Sequence, residues 1–521
     1  MDTRLPSFGA TGAHRAITAA EGFCPSRTLR SGAANRLHSH GRMVLTTADY
    51  LVIAGYLVAI TLFGSWFAKF QKTTNDYFLA DRSTPWWGIC FTIVATETST
   101  LSFIGVPAQA YTGNFAFLQL ALGYIIGRVI VSAIFIPAYF RGDLVTSYQL
   151  LHRRFGSRVK TIASAIFLVT RSFADGVRLF ATALVIAVVT QVPVTWTVLV
   201  LGAAMIIYTV RGGAAAVIWT DVVQMFVYIA GAGLVFFALL ERIPGGWETV
   251  AASASAAGKF TVLNLTTDPQ VTYTLWAGII GGIALTLATH GTDQFLVQRL
   301  LAARSAREAG TGLMLSGVLV FAQFALFLVI GAMLFTYYQQ TPAPVLNRAD
   351  EILPAFVVTS LSGGAAGFIV AAIVAAALSP SLNAMAAVTV KDFYVPFVRP
   401  DADERSLMRV ARGATIGWGI VQLAVAVGAQ WMDRSVLDVG LSVLSLAAGP
   451  VLGAFLVGVL TRKVGEGAML TGMAVGIVVL FVLWWTGAVA WTWYAFIGAA
   501  VTGGVAVAAH AVMGRDAEPS R

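Results

Sequence analysis

The stretch of sequence that decides the fold runs from residue 92 to residue 105. It reads Thr92-Ile93-Val94-Ala95-Thr96-Glu97-Thr98-Ser99-Thr100-Leu101-Ser102-Phe103-Ile104-Gly105. Six hydroxyl side chains and one carboxylate fall within about three helical turns. Serine and threonine hydroxyls can hydrogen-bond to the backbone of their own helix and pack against a neighbouring helix without any role in binding. Glu97 has no basic residue near it in the sequence, so it requires a cation, a proton or water.

The composition around this stretch is that of a membrane protein. Of 521 residues, 57% are apolar and 11% are charged, with a mean hydropathy of +0.77, whereas soluble domains carry about 25% charged residues. A spanning helix needs ~20 mostly apolar residues. About thirteen such stretches lie near residues 48–68, 86–110, 115–140, 161–190, 193–210, 217–240, 274–298, 311–336, 361–385, 408–430, 437–460, 467–486 and 491–513. We therefore predict an all-α integral membrane protein of about 13 transmembrane helices.

The loop charges predict the orientation of the chain. The loops on one face, with the tail 514–521, hold 21 Lys and Arg residues, and those on the other face hold four. Positive loops stay in the cytoplasm, so we expect a cytoplasmic C-terminus, an external N-terminus and a multi-pass protein of the plasma (inner) membrane. The same bias explains the net charge of +9 without a nucleic-acid partner.

Residues 1–42 do not fit this orientation, because they carry six arginines and would have to cross the membrane. They also lack the uninterrupted apolar core of a signal peptide. Met43 begins a natural start, MVLTTADYLV, just before the first span. We interpret residues 1–42 as a spurious or disordered extension, with a transit peptide as a third reading, and assign the transmembrane domain to residues 43–513.

Few charged groups lie inside the predicted spans. They are Glu97, Arg128, Arg171, Asp175, Arg178, Asp221, His290 and Asp293. Arg171, Asp175 and Arg178 are spaced by four and three residues, which favours a structural ion pair on one helical face. For Arg128, a tertiary partner such as Asp175 is as plausible as a role in solute binding.

Two later spans repeat the polar interruption of the second. The seventh contains Thr289-His290-Gly291-Thr292-Asp293-Gln294, and the ninth contains Ala376-Ala377-Leu378-Ser379-Pro380-Ser381-Leu382-Asn383. Pro380 cannot donate to the carbonyl of Ala376, so that oxygen is freed. Paired interrupted spans in the two halves of a membrane protein indicate inverted repeats, with solute and coupling ion bound near the midplane.

These residues resemble the sodium/solute symporter family, which includes the bacterial proline and sodium/galactose symporters and the animal sodium/glucose and sodium/iodide carriers. The resemblance covers about residues 48–465. It rests on Tyr77-Phe78-Leu79-Ala80 with Pro85-Trp86-Trp87, the segment ending Phe103-Ile104-Gly105, Tyr148 with Arg153-Arg154-Phe155-Gly156, Gly212-Gly213 with Ala216-Val217-Ile218-Trp219-Thr220-Asp221, Gly291-Thr292-Asp293-Gln294 with Gln298-Arg299, and Gly449-Pro450 with Gly453. It implies a leucine-transporter-type fold with five-helix inverted repeats at about 86–240 and 274–460.

The resemblance also implies a sodium site. Carried over by position, its ligands are the carbonyls of Ala95, Thr98 and Ala376 and the hydroxyl of Ser379. The family's second adjacent hydroxyl falls on Pro380 here, so we expect Ser381 or water to replace it. Asp221 matches a carboxylate that affects cation coupling in several members of the family.

Solute contacts are implied at the positions of Glu97, Ser102, Gln119 and Asp293. Glu97 lies where the proline symporters have Asp, and Asp293 lies where the sugar carriers have Asn. Two acids at these positions make a sugar less expected than a cationic or zwitterionic solute, or a proton.

The leading hypothesis is thus a secondary active transporter, not an enzyme, in which inward sodium movement drives uptake of a small organic solute by alternating access. Sodium is the coupling ion, and no other metal or cofactor is expected. The alternatives are a proton-coupled or uncoupled carrier of the same fold, or a transporter-like sensor.

The first prediction concerns residues 1–42. A chain that starts at Met43 should insert into the membrane and transport as the full-length chain does, because the orientation signals follow that residue. Membrane fractionation and solute uptake would test this expectation. Loss of insertion or uptake in the shortened chain would assign the segment a real role.

Overall fold

The computed structural model describes residues 45–142, 144–344, 346, 349–361, 363–377, 381–431 and 436–513. The proposed extension 1–42, the tail 514–521, Ser379 and Pro380 lie outside these ranges. The described chain is helical, and an isolated bridge between Thr84 and Ala303 is the β pairing found within it. The all-α class predicted from composition is confirmed.

Twenty α-helices follow one another along the described chain. They are α1 (Thr47–Trp66), α2 (Thr74–Leu79), α3 (Trp86–Glu97), α4 (Thr100–Thr112), α5 (Leu118–Phe140), α6 (Tyr148–Phe155), α7 (Ser157–Thr190), α8 (Val194–Arg242), α9 (Gly246–Ala256), α10 (Gly282–Thr292), α11 (Gln294–Leu301), α12 (Ala306–Gln340), α13 (Ile352–Ser360), α14 (Ala365–Ala377), α15 (Leu382–Val388), α16 (Val395–Phe397), α17 (Glu404–Gly428), α18 (Val436–Leu460), α19 (Glu466–Thr486) and α20 (Tyr494–Met513). Each of the thirteen predicted spans coincides with one of these helices or with a part or a pair of them.

Length and composition alone identify fewer spans than thirteen. Seven described helices are long and apolar enough to cross a membrane, or eight if the bent pair of α3 and α4 counts as one span. Two of the other predicted spans have physical reasons to miss this test. Helix α7 carries Arg171, Asp175 and Arg178 near its centre, and the apolar part of the seventh span, Ala277–Thr292, is a short helix.

Helix α8 contains the fifth and sixth predicted spans. Both run helically up to Gly213, which has φ 56° and ψ −149°. A side chain there would be strained at this positive φ, and its Cβ would lie 2.9 Å from the Gln71 Oε1 atom. Gly213 therefore allows the chain to change direction between two helices without an intervening loop.

The interruption predicted in the second span is confirmed. Helix α3 ends at Glu97, and Thr98 and Ser99 have extended ψ angles of 101° and 166°. The two arms of the span meet at a bend of 60°. Ser99 caps α4, because its hydroxyl accepts a hydrogen bond from the Ser102 amide. The carbonyls at the end of α3, among them that of Ala95, thereby lose the helical donors four residues ahead.

The seventh span is interrupted in the same way. Helix α10 ends at Thr292, and Asp293 has an extended backbone with ψ 121°. The Asp293 carboxylate caps α11 by accepting a hydrogen bond of 2.9 Å from the Phe295 amide. In the ninth span, α14 ends at Ala377 and α15 begins at Leu382. The interruptions predicted in the second and seventh spans thus lie between separate helices, and residues 378–380 of the ninth span lie outside the described part of the chain.

Helices α5 and α10 approach closely through glycines. A Cβ atom added at Gly123 would lie 2.9 Å from the Gly282 Cα atom and 2.9 Å from the Ile279 carbonyl oxygen. Helix interfaces in membranes favour small residues, because these let the backbones touch. This contact holds α10, and therefore the break at Asp293, against α5.

We expect Gly123→Ala to lower the stability of the folded protein by about 1–3 kcal/mol, because the new methyl group meets backbone atoms that cannot move aside. The thermal unfolding midpoint of the purified protein in detergent measures this change. Gly417→Ala is the matched control, since no atom lies within 4 Å of the added Cβ. Equal midpoints for the two variants would contradict the tight contact.

Candidate functional site

A cavity of about 420 Å³ lies between the interrupted spans, within the size range of about 300–1,000 Å³ that is usual for small-molecule sites. Its wall is formed by α3, α4, α5, α6, α7, α10, α11, α12 and α18. Eight aromatic side chains line it: Phe117, Tyr124, Tyr148, Phe167, Tyr273, Phe295, Phe324 and Trp491. The charged side chains that line it are Glu97, Arg171, Arg178 and Asp293. The cavity is therefore mostly apolar, with a few charges of both signs.

Glu97 lies at the cavity wall and has a basic partner. Arg128, from the middle of α5, donates a hydrogen bond to its carboxylate. Arg128 is fully buried, whereas Glu97 keeps 14% of its side-chain surface exposed. The His290 Nε2 atom lies 3.4 Å from the other carboxylate oxygen. The sequence could not reveal this ion pair, because its members are 31 residues apart on different helices.

Asp293 is paired as well. Arg171 of α7 donates a hydrogen bond to its carboxylate, and the same guanidinium lies 4.7 Å from the centre of the Phe295 ring. Asp175 lies 3.6 Å from Arg171 and 3.9 Å from Arg178. The ion pair predicted on α7 is confirmed, and Asp293 is an additional partner that sequence spacing did not indicate. Both predicted solute-binding acids are thus neutralised by arginines.

The other two predicted solute-binding residues occupy different places. Ser102 of α4 lines the cavity. Gln119 is fully buried outside it, where its amide donates to the Ala116 carbonyl and accepts a hydrogen bond of 3.1 Å from the Asn264 amide. Gln119 therefore connects the start of α5 to the loop that precedes α10.

Asp221 of α8 forms the centre of a buried polar cluster behind α3. It accepts hydrogen bonds of 2.7 Å and 3.3 Å from the hydroxyls of Thr92 and Thr96. The Arg299 guanidinium donates to the same carboxylate at 2.9 Å. The cluster is fully enclosed, with Asp221 at 0% exposure. It connects α3, α8 and α11 next to the break in the second span.

The helix that follows the break in the second span contacts α14, which carries the predicted sodium ligand Ala376. The Thr100 hydroxyl, just after the break in the second span, donates to the Ile373 carbonyl at 3.1 Å. Ile373 is three residues before Ala376, so the end of α14 lies beside this break. The Thr98 side chain is already engaged, because its hydroxyl donates to Val94 and accepts from Gln323. Its contribution to a cation site would therefore come from the backbone carbonyl.

Ser381 is fully buried at the start of α15. Its hydroxyl accepts a hydrogen bond of 3.1 Å from Gln422 and donates to the Met385 sulfur. A hydroxyl oxygen has two lone pairs, so one remains for a cation. The position predicted for Ser379 falls outside the described residues.

Comparison with known proteins supports the transporter reading. The profile of the sodium:solute symporter family matches residues 77–476. The chain is 30% identical over 439 residues to the sodium/sialic acid symporter SiaT of Proteus mirabilis, covering 82% of this chain and 88% of the relative. It is 29% identical over 443 residues to the human sodium/iodide cotransporter, covering 82% of this chain and 68% of the relative.

The fold has solved counterparts. A Na⁺-coupled sialic acid symporter in a substrate-bound outward-open state superposes with a TM-score of 0.85 at 27% identity, covering 91% of this chain and 99% of that chain. The nucleobase-cation symporter Mhp1 in a closed conformation superposes with a TM-score of 0.55 at 15% identity over 84% of this chain and 95% of that chain, which shows the fold alone. The leucine-transporter-type architecture implied by the resemblance is confirmed. The chain is a sodium-coupled transporter of small solutes and belongs to the sodium:solute symporter family.

Proposed function

We propose that the solute is a small organic anion, bound in the cavity through Arg178 and moved into the cell with sodium by alternating access. The observation that carries this proposal is the exposure of Arg178. Its side chain is 21% exposed, compared with 0% for Arg128 and 4% for Arg171 and Arg299. Its nearest carboxylate oxygen, on Asp175, lies at 3.9 Å. Arg178 is thus the cavity arginine that is best able to bind a further anion.

The paired acids remove the earlier reason to expect a cationic solute. Glu97 and Asp293 each accept a hydrogen bond from an arginine, so neither presents an uncompensated negative charge to the cavity. A planar guanidinium binds a carboxylate with two parallel hydrogen bonds. The aromatic lining would surround the apolar part of such a solute.

The names of the relatives are consistent with this chemistry. Sialic acid, carried by SiaT, is a carboxylic acid, and iodide is an anion. The human sodium-coupled monocarboxylate transporter 1 is 28% identical over 440 residues, covering 82% of this chain and 72% of the relative.

The proposed sodium site combines uncharged oxygens from two interrupted spans. Its ligands are the carbonyls of Ala95, Thr98 and Ala376 with the hydroxyls of Ser379 and Ser381. The contact of Thr100 with Ile373 supports it, because that hydrogen bond joins the two spans beside the site. Asp221 would influence the sodium site indirectly, because it accepts a hydrogen bond from Thr96, which follows the proposed ligand Ala95. In the proposed orientation the C-terminus lies in the cytoplasm and the N-terminus outside.

Arg178→Gln should raise the half-saturating concentration of a carboxylate solute at least tenfold, equivalent to about 1.4 kcal/mol. Proteoliposomes with an imposed sodium gradient, and controls with a proton gradient or none, would be tested with labelled sialic acid and lactate. Arg307→Gln removes the same charge from an exposed position and should have no effect. Identical uptake kinetics of the carboxylate in the two variants would reject binding of the anion through Arg178.

Ser379→Ala should raise the sodium concentration needed for half-maximal uptake by about tenfold or more, a loss of roughly 1.4 kcal/mol. Ser381→Ala should have a smaller effect in the same direction, because its hydroxyl also bonds Gln422 and Met385. Initial uptake rates against sodium concentration measure both. Uptake that persists without sodium in the unmodified protein would favour proton-coupled or uncoupled transport instead.

A further inference from the structure

The acids buried around the cavity are matched by arginines. Glu97 pairs with Arg128, Asp221 with Arg299, and Asp293 with Arg171, while Asp175 lies between Arg171 and Arg178. A buried ionised carboxylate requires a positive partner, because desolvation otherwise makes its charge very costly. In this protein the partners are covalently attached side chains, so these acids do not depend on bound cations for neutralisation.

The pair of Glu97 and Arg128 includes the acid that is nearest in the sequence to the proposed sodium ligands Ala95 and Thr98. Glu97 stands between Ala95 and Thr98 in the sequence and reaches the cavity wall. Arg128 is fully enclosed behind it, on the side of α5. Within the described residues, its Nε and Nη1 atoms have no hydrogen-bond partner. Its remaining hydrogen bond is the one to Glu97. This indicates that Arg128 serves to neutralise the charge of that carboxylate.

The packing holds Arg128 in this place. A Cβ atom added at Gly317 of α12 would lie 2.9 Å from the Arg128 Cδ atom, so the side chain lies directly against that helix. The guanidinium therefore has little room to leave the carboxylate. A sodium ion that approached the same carboxylate would be repelled by the arginine at short range.

We propose that Arg128 is a built-in cation for Glu97, that it limits the carrier to one bound sodium ion, and that its removal turns Glu97 into part of a second sodium site. This inference rests on the proposed sodium site at the carbonyls of Ala95 and Thr98. One sodium ion would then bind to uncharged oxygens beside an internally neutralised carboxylate.

The test counts sodium ions directly and needs no identified solute. Equilibrium binding of sodium-22 to the purified full-length protein should give one ion per chain. Arg128→Gln should give two, because the carboxylate of Glu97 then recruits a second ion. The double variant Glu97→Gln with Arg128→Gln should return to one, since neither charge remains.

Glu97→Gln alone provides an independent test, which does not require the Arg128→Gln variant to fold. It leaves the arginine charge uncompensated beside the sodium site, so the half-saturating sodium concentration should rise at least tenfold. The double variant should largely restore the original value. This reversal requires charge compensation and would not arise if Glu97 served only as packing.

The outcomes separate this inference from the proposed function. The proposal for Arg128 would be rejected by two sodium ions on the unmodified protein, or by one ion or none on a folded Arg128→Gln variant. It would also be rejected if the double variant failed to restore the sodium affinity lost in Glu97→Gln. Absence of saturable sodium binding in the unmodified protein would instead overturn the proposed sodium site, and this inference with it.

Discussion

The structure depends on one constraint: in a bilayer, every backbone polar group must find a partner within the protein. A helix that is broken at membrane depth is tolerated only where its freed groups face a cavity, a ligand or a cap. Here the breaks at Thr98 and Asp293 have both a cap and a neighbouring cavity. Side chains cap the helices that follow, and the breaks adjoin the cavity. The freed carbonyls are the proposed ligands of the sodium ion. The close contact of α5 with α10 and the buried ion pairs hold these breaks in place.

The positions of the breaks could be predicted from the sequence, because hydroxyls, glycine and carboxylates interrupt apolar runs that are long enough to span a membrane. The partners of the charged residues could not. Arg171 and Asp175 are one helical turn apart and were predicted to pair, whereas Arg171 and Asp293 are 122 residues apart. Their proximity follows from tertiary packing, which no local pattern encodes. The resemblance implied a solute contact at Gln119, and in the structure its side chain is buried and bonded to the Ala116 carbonyl and the Asn264 amide.

The pairing of charges changes how the cavity should be understood. From sequence, Glu97 and Asp293 suggested a negative site. With Arg128 and Arg171 in place, the acids are neutralised, and the polarity of the wall is decided by the group that is least covered, Arg178. The proposed sodium site of uncharged oxygens fits beside such a neutral framework. It would bind its ion without having to separate an existing ion pair, which would be costly at low dielectric.

The distances along the chain between paired residues also bear on biosynthesis. Arg171 enters the membrane with α7 long before the ribosome has made Asp293, so its final partner is absent when the helix inserts. Asp175, one turn away, is present from the start and can compensate the arginine during that interval. The same carboxylate lies near Arg171 in the finished protein, at 3.6 Å. Asp175 would thus act first as an intramolecular chaperone for a charged helix, and its loss should reduce membrane insertion of nascent chains more than the stability of completed ones.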